Sequence, residues 1–241
     1  MSETPATSVR EAITEFADCG VHAFTTTRLA GDYGLGDGDS NVAALERWRV
    51  LAESLSPASP RLASAKQVHG TAVLEHGPTW TGWHRADSAD GHVGFIPGMA
   101  LAVTVADCVP VFVAHPSGTI ALLHAGWRGT AGRILSKGLQ RLTDRGLEAA
   151  DLRVHLGPAI CGRCYIVGPD VFGQLTGWTT ARPRNVDLRA LVAEQAKELG
   201  VTRITVSPYC TKCDSERFFS HRAGDAGRQV AVIVSPESTT P

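Results

Sequence analysis

Met99–Trp127 reads MALAVTVADCVPVFVAHPSGTIALLHAGW, and its reading decides the architecture. The runs on either side of the turn Pro116-Ser117-Gly118 are almost wholly apolar, which a strand facing water on one side cannot be. They are therefore expected to be central strands, covered on both faces. Working outward, GVHAFTTTR (20–28) reads as another strand, because Val21, Ala23 and Thr25 alternate with other side chains before the glycine-rich AGDYGLGDGDS (30–40). LASAKQVHGTAVLEH (62–76) reads as two short strands joined at His69-Gly70, while DLRVHLGPAI (151–160), RITVSPYC (203–210) and QVAVIV (229–234) supply further strands. Three helices are expected. NVAALERWRVLAESL (41–55) spaces Val42, Leu45, Trp48 and Leu51 at helical intervals behind a Ser40 or Asn41 cap. TAGRILSKGLQRLTDRGL (130–147) and VDLRALVAEQAKELGV (186–201) are the other two. Helices interleave with strands, yet several strands follow one another by short turns, which argues for an α/β or α+β fold with mixed sheets.

The chain of 241 residues is long enough to bury a substantial core. Its 23 basic and 24 acidic residues balance to a net charge of -1, without a basic run. That excludes the electrostatic footprint of a nucleic-acid or anionic-membrane binder and favours a small ligand. The start, MSETPATSVREAITEF, is acidic and lacks an apolar stretch after a basic one, so no secretory signal is expected. A cytoplasmic setting follows as the expectation, in which the six cysteines serve as ligands, nucleophiles or fillers rather than disulfides.

The chemistry gathers where strands end. His69 closes SAKQVH before a glycine, Cys108 sits in TVADC just before Pro110, and His124 closes IALLH. Two imidazoles and a thiolate form a normal catalytic zinc set, since three protein ligands leave a fourth position open. Such an ion polarises a substrate and brings bound water towards a pKa of about 7. Spacing alone is weak evidence for it, because a single His or Cys at a strand end is more often a packed side chain. Asp107 adds weight: a carboxylate ending a run otherwise apolar from Met99 needs a partner, and orienting a ligating histidine is one such role. Beyond His124, Gly126 and Gly129 permit close backbone approach, and the following helix start offers amides to an anion. Trp127 offers a face for a flat ring, and Arg128 a planar fork for phosphate or carboxylate.

The segments KQVHG (66–70), TVADCVPV (104–111), HAGWRGT (124–130), GPAICGRCY (157–165) and RFFSHR (217–222) followed by Gly227-Arg228 resemble the YfiH family. These are the laccase-domain or multicopper-polyphenol-oxidase proteins now treated as purine nucleoside phosphorylases. The resemblance runs from FTTTR to AVIV in the family's order, and implies one domain over 1–241 with residues 1–18 as a poorly ordered tail. It implies a four-layer α/β/β/α sandwich similar to the catalytic domain of cytotoxic necrotizing factor. It also implies one zinc on His69, Cys108 and His124, with copper able to occupy the same ligands. The implied activity is phosphorolysis of adenosine, inosine, guanosine and methylthioadenosine, with adenosine deamination at the same centre. The implied partners are purine nucleosides and phosphate, and the chain is expected to be a monomer or homodimer. Phosphorolysis requires an anion site beside the ribose and a proton donor to the leaving purine. Arg28, the early arginine of TTTR, and Arg222 are assigned to the anion and His221 to the proton.

Three departures bear on function. The loop after Arg28, LAGDYGLGDGDSNVAAL (29–45), is shorter than in the family, which affects nucleoside preference. Ile166 stands where the family has a glutamate in CYEV. Cys161-Gly-Arg-Cys164 and Cys210-Thr-Lys-Cys213 form two C-x-x-C pairs, separated by far more than the roughly 15–20 residues usual in a tetrathiolate zinc site. Two rival functions remain. None of the nine histidines forms the His-x-His pairs of a multicopper oxidase, so copper-dependent oxidation of phenols is secondary. A cysteine amidase acting on peptidoglycan precursors would instead use Cys108 as nucleophile and His124 or His69 as base. A non-enzymatic nucleoside sensor is the weakest alternative, because an open metal position suits turnover.

Overall fold

The computed structural model describes residues 8–36, 41–235 and 237. Its core is two six-stranded mixed sheets packed face to face. In the first, the order is β1 (Arg10–Ile13), β2 (His22–Thr26), β14 (Gln229–Ser235), β7 (Met99–Val105), β3 (Arg61–Ala65) and β5 (Gly82–Ala86). The second runs β13 (Arg203–Val206), β10 (Arg153–Leu156), β8 (Val109–Ala114), β9 (Ile120–Ala125), β6 (Gly91–Gly94) and β4 (Val73–His76). A small ribbon joins β11 (Ile166–Val167) to β12 (Arg184–Asn185).

Strand alternation sorts the apolar side chains into three layers. Leu101, Val103 and Val105 of β7 meet Phe112, Ile120 and Leu122 between the sheets, while Ala100 and Ala102 turn to the outer face. There they meet helix α1 (Val42–Leu55), which buries Ala44, Trp48, Leu51 and Leu55 at helical spacing. Val109, Val111, Val113 and Leu123 face away from the sheet interface, against α3 (Ile134–Thr143) and α5 (Leu188–Glu198), with α4 (Pro169–Thr176) between these two in the chain. Helix, sheet, sheet and helix thus make the expected four layers. Each fully buried Leu or Phe in these layers contributes roughly 1.5–3 kcal/mol.

The local rules hold at the helix starts. Asn41 caps α1, its side chain accepting from the Ala44 N–H at 3.1 Å, and Asp187 caps α5 through the Arg189 and Ala190 amides. Ser40, the other candidate cap, lies outside the described residues. The helix expected over 130–147 is two pieces, α2 (Trp127–Ala131) and α3, because Arg133 adopts φ 56° and breaks the ladder. Part of the expected terminal tail is also ordered. Arg10–Ile13 pair with β2, and Phe16 is fully buried.

The deciding stretch carries a second correction. Met99–Ala114 divides into strands of different sheets, with the chain crossing between sheets at Ala106–Cys108. Asp107 takes φ 85° at this corner, a backbone conformation costing an L-residue on the order of 1–2 kcal/mol. The chain crosses again between β3 and β4, where His69 takes φ 57°. Since β3 runs parallel to β7, both crossings lie at the same end of the sandwich. β9 reaches that end as well, because Val109 at the start of β8 pairs with Ala125.

Candidate metal centre

Three chain segments converge at this end, and each delivers one ligand. His124 lies on the face of β9 that carries Ile120 and Leu122, so its ring points between the sheets, 3 % exposed. Cys108 follows the Asp107 corner, and His69 sits on the other crossover. One side-chain ligand atom from each lies within 4.8 Å of the others, and the two imidazole rings are 4.9 Å apart at 79°. Gly126 is required beneath them. A Cβ there would come 2.9 Å from the Cys108 Sγ and 3.3 Å from the His69 ring. The close approach expected of Gly126 is thus to the ligands. The following helix α2 is a single turn of five residues, too short to present an anion site of its own.

A residue overlooked in the sequence organises the centre. Asp90 is fully buried. Its carboxylate accepts from the amides of Val68 (3.2 Å), His69 (2.9 Å) and Gly70 (2.7 Å), which holds the His69 corner in its left-handed shape. The same carboxylate lies 2.8 Å from His124 Nδ1, while the His124 N–H donates to the Asp90 carbonyl at 2.7 Å. Nδ1 is thereby occupied and Nε2 is the nitrogen left for a metal. Gln67 performs a related task, donating to the Thr104 carbonyl and accepting from its N–H, so that β3 and β7 enter their crossovers in register.

Asp107, expected to orient a ligating histidine, does something else. Its carboxylate accepts from Thr211 Oγ1 at 2.6 Å and from the Arg222 N–H at 2.7 Å, tying the crossover to the 211–222 segment. The orienting role belongs to Asp90.

Electrostatics suit a thiolate ligand. Burial alone would push the Cys108 thiol up, but the charge of His124 and hydrogen bonds with His124 and His69 outweigh it, bringing it down to about 6. Burial likewise disfavours a His124 cation, yet the Cys108 thiolate and the Asp90 carboxylate prevail and raise it to about 9. Burial pushes the Asp90 carboxyl up, but the hydrogen bonds it accepts from His124, from the Gly70 amide and from the Val68 amide, with the charge of His124, bring it below its ordinary value. Without a metal the site is thus a Cys108 thiolate and His124 imidazolium pair flanked by the Asp90 carboxylate. A divalent cation would take the place of the His124 proton. Two borderline nitrogens and one thiolate fit zinc or copper.

The centre opens into a cavity of about 860 Å³, within the range that encloses a small-molecule ligand. Among the described residues, Lys66, Arg85, Arg128, Arg222 and Arg228 line it, with Asp107 as the one lining carboxylate. Trp127 and His221 also line it, with the Arg128 guanidinium 4.2 Å above the Trp127 ring. Arg222 packs over Tyr165 and donates to the Ile166 carbonyl. Tyr33, Gly34, Leu35, Gly36 and Asn41 also line the cavity, so the shortened loop does border it. Arg28 is the exception among the assigned residues. It is absent from the wall, and its guanidinium holds Asp225 (2.7 Å) and the carbonyls of Ser215 and Phe218. Its role is to fix the 215–225 segment.

This arrangement has relatives. The sequence model described as multi-copper polyphenol oxidoreductase laccase matches residues 18–236. The chain belongs to this laccase-like family. A purine nucleoside phosphorylase of Mycobacterium tuberculosis is 35% identical over 231 residues, covering 88% of this chain and 91% of that one. One from Deinococcus radiodurans is 36% identical over 234 residues, covering 89% of each. Among solved structures, YlmD from Geobacillus stearothermophilus superposes with a TM-score of 0.82 at 30% identity, over 96% of this chain and 98% of that one. Among the described residues no helix is long and apolar enough to cross a membrane.

Proposed function

We propose that this chain is a zinc-dependent purine nucleoside phosphorylase acting on adenosine, inosine, guanosine and methylthioadenosine, with adenosine deamination at the same centre. The observation that carries it is the His69, Cys108 and His124 cluster at a cavity whose described wall residues include five cationic side chains and one engaged carboxylate. Relatives over nearly the whole length bear the phosphorylase name.

His69, Cys108 and His124 would hold the ion, which supplies Lewis-acid polarisation of a substrate atom when bound. Asp90 keeps His124 in the tautomer that presents Nε2. Arg222 and Arg128 bind the phosphate dianion, preorganised by the Asp107 contact to the Arg222 amide and by stacking on Trp127. Trp127 and Tyr165 border the purine, and burial keeps the Tyr165 phenol protonated as a hydrogen-bond donor. His221 donates the proton that the departing base requires.

Zinc-loaded protein incubated with adenosine, with and without phosphate, distinguishes the activities by chromatography. Adenine and ribose 1-phosphate appearing only with phosphate support phosphorolysis, and inosine supports deamination. Absence of product from every purine nucleoside overturns the reading. One observation favours a second reading: the Cys108 thiol held near 6 beside a His124 cation is also the pair a cysteine amidase uses. In that case alkylating Cys108 would abolish turnover and chelation would not.

A further inference from the structure

We propose that Cys161, Cys164, Cys210 and Cys213 hold a second, structural zinc ion as a closed tetrathiolate. The fold brings the two distant C-x-x-C pairs together, so that all four sulfurs lie within 4.8 Å of one another. Cys164 Sγ and Cys213 Sγ are 3.4 Å apart. A tetrahedral zinc with bonds of about 2.3 Å spaces its sulfurs by roughly 3.8 Å, so the four sulfurs close on one ion with shifts of ångström size or less. Disulfides require about 2.05 Å between sulfurs, and all four cysteines are free.

The backbone around the cluster is arranged for anionic sulfur. The N–H groups of Cys161 (3.2 Å) and Cys213 (3.4 Å) both donate to Cys210 Sγ. Such donation favours the charged thiolate a metal needs. Each pair also encloses a basic residue, Arg163 in one and Lys212 in the other, which offsets the charge of -2 that four thiolates leave on a zinc ion. Soft thiolates select zinc over the hard cations. With four protein ligands no position remains open, and the site is structural where the His69, Cys108 and His124 centre is open.

Its effect would reach the cavity. The first pair lies on the chain leading into Tyr165, and the second flanks Thr211, whose hydroxyl holds Asp107. An ion here clips the 161–165 turn to the 210–213 turn, which otherwise meet through hydrogen bonds and one isolated bridge between Ala159 and Cys210. No ligand is shared with the other centre, so this inference stands apart from the phosphorylase reading.

The test counts metals on the full-length protein purified without chelator. Two zinc ions per chain are expected, falling to one in His124→Ala and to one in the double variant Cys164→Ser with Cys213→Ser. The His124→Ala protein carries the test should the double variant fail to fold. Loaded with cobalt, it should show strong sulfur-to-metal charge-transfer absorption and tetrahedral ligand-field bands. A His124→Ala protein without zinc and without that cobalt spectrum overturns the proposal. So does iron in place of zinc, or four thiols in the native wild-type protein that react at once with a thiol reagent.

Discussion

The two sulfur-bearing clusters of this protein are built in opposite ways. His69, Cys108 and His124 come from strand ends and crossovers of a two-sheet core, and a fully buried carboxylate, Asp90, dictates both the shape of one corner and the tautomer of one ring. The four cysteines come from turns, with backbone amides as their nearest supports. Without metal, the first cluster balances a thiolate against an imidazolium. The second has no imidazolium among its ligands, its basic residues Arg163 and Lys212 lying between the cysteines in sequence, and hydrogen bonding with Cys164 and Cys210 pushes the Cys213 thiol up to about 12. A ligand set with an internal counter-ion persists as a pocket ready for chemistry. One without it is completed by the metal alone.

That contrast is sharpened first by His124→Ala, which should empty the histidine centre and reduce nucleoside turnover to background while circular dichroism stays native. Retention of full activity would break it. Asp90→Asn comes next. The amide cannot serve the 68–70 amides and His124 Nδ1 as the carboxylate does, so activity or metal affinity should fall about 10–100-fold, measured by competition with a zinc chelator.

A pH experiment on chelated protein follows. A folded-state thiol depressed to about 6 is a thiolate above that value and is lost as pH falls through it. Alkylation at Cys108, followed by peptide mass spectrometry, should therefore hold steady at neutral pH and drop about tenfold per unit below 6. Cys213, raised rather than lowered, should remain unreactive across that range in the same sample. Gly126→Ala should weaken metal binding through contact with Cys108 Sγ, a smaller effect of several-fold by the same competition. The smallest is Arg28→Ala. It should cost about 1 kcal/mol of stability by urea titration, since its ion pair is partly exposed.

Much of this was legible in sequence because apolar content and helical spacing are local. Asn41 caps its helix, Trp48 and Leu51 face inward, and His69, Cys108 and His124 come together at one end of the sandwich. What sequence could not show was which sheet a strand joins. An apolar run such as Met99–Ala114 is equally consistent with one sheet or two, and Asp107 is the sole charged residue in it, at the crossover. Asp90 escaped notice because its partners lie 20 to 34 residues away, although a charge beside Gly91-His92-Val93 carried the same signal of a buried carboxylate as Asp107. Arg28 illustrates the reverse case. A motif selected it for the anion, and the fold spends its guanidinium on Asp225 and two carbonyls.

The proposed reaction is nucleoside phosphorolysis at the His69, Cys108 and His124 centre. It is tested most directly by adding zinc back to chelated protein while following ribose 1-phosphate formation from adenosine and bound metal together. Turnover should return in proportion to the zinc that the wild-type chain retains beyond that held by His124→Ala, and never appear in His124→Ala. Phosphate-dependent turnover that is unchanged by chelation, or that His124→Ala supports, would contradict it.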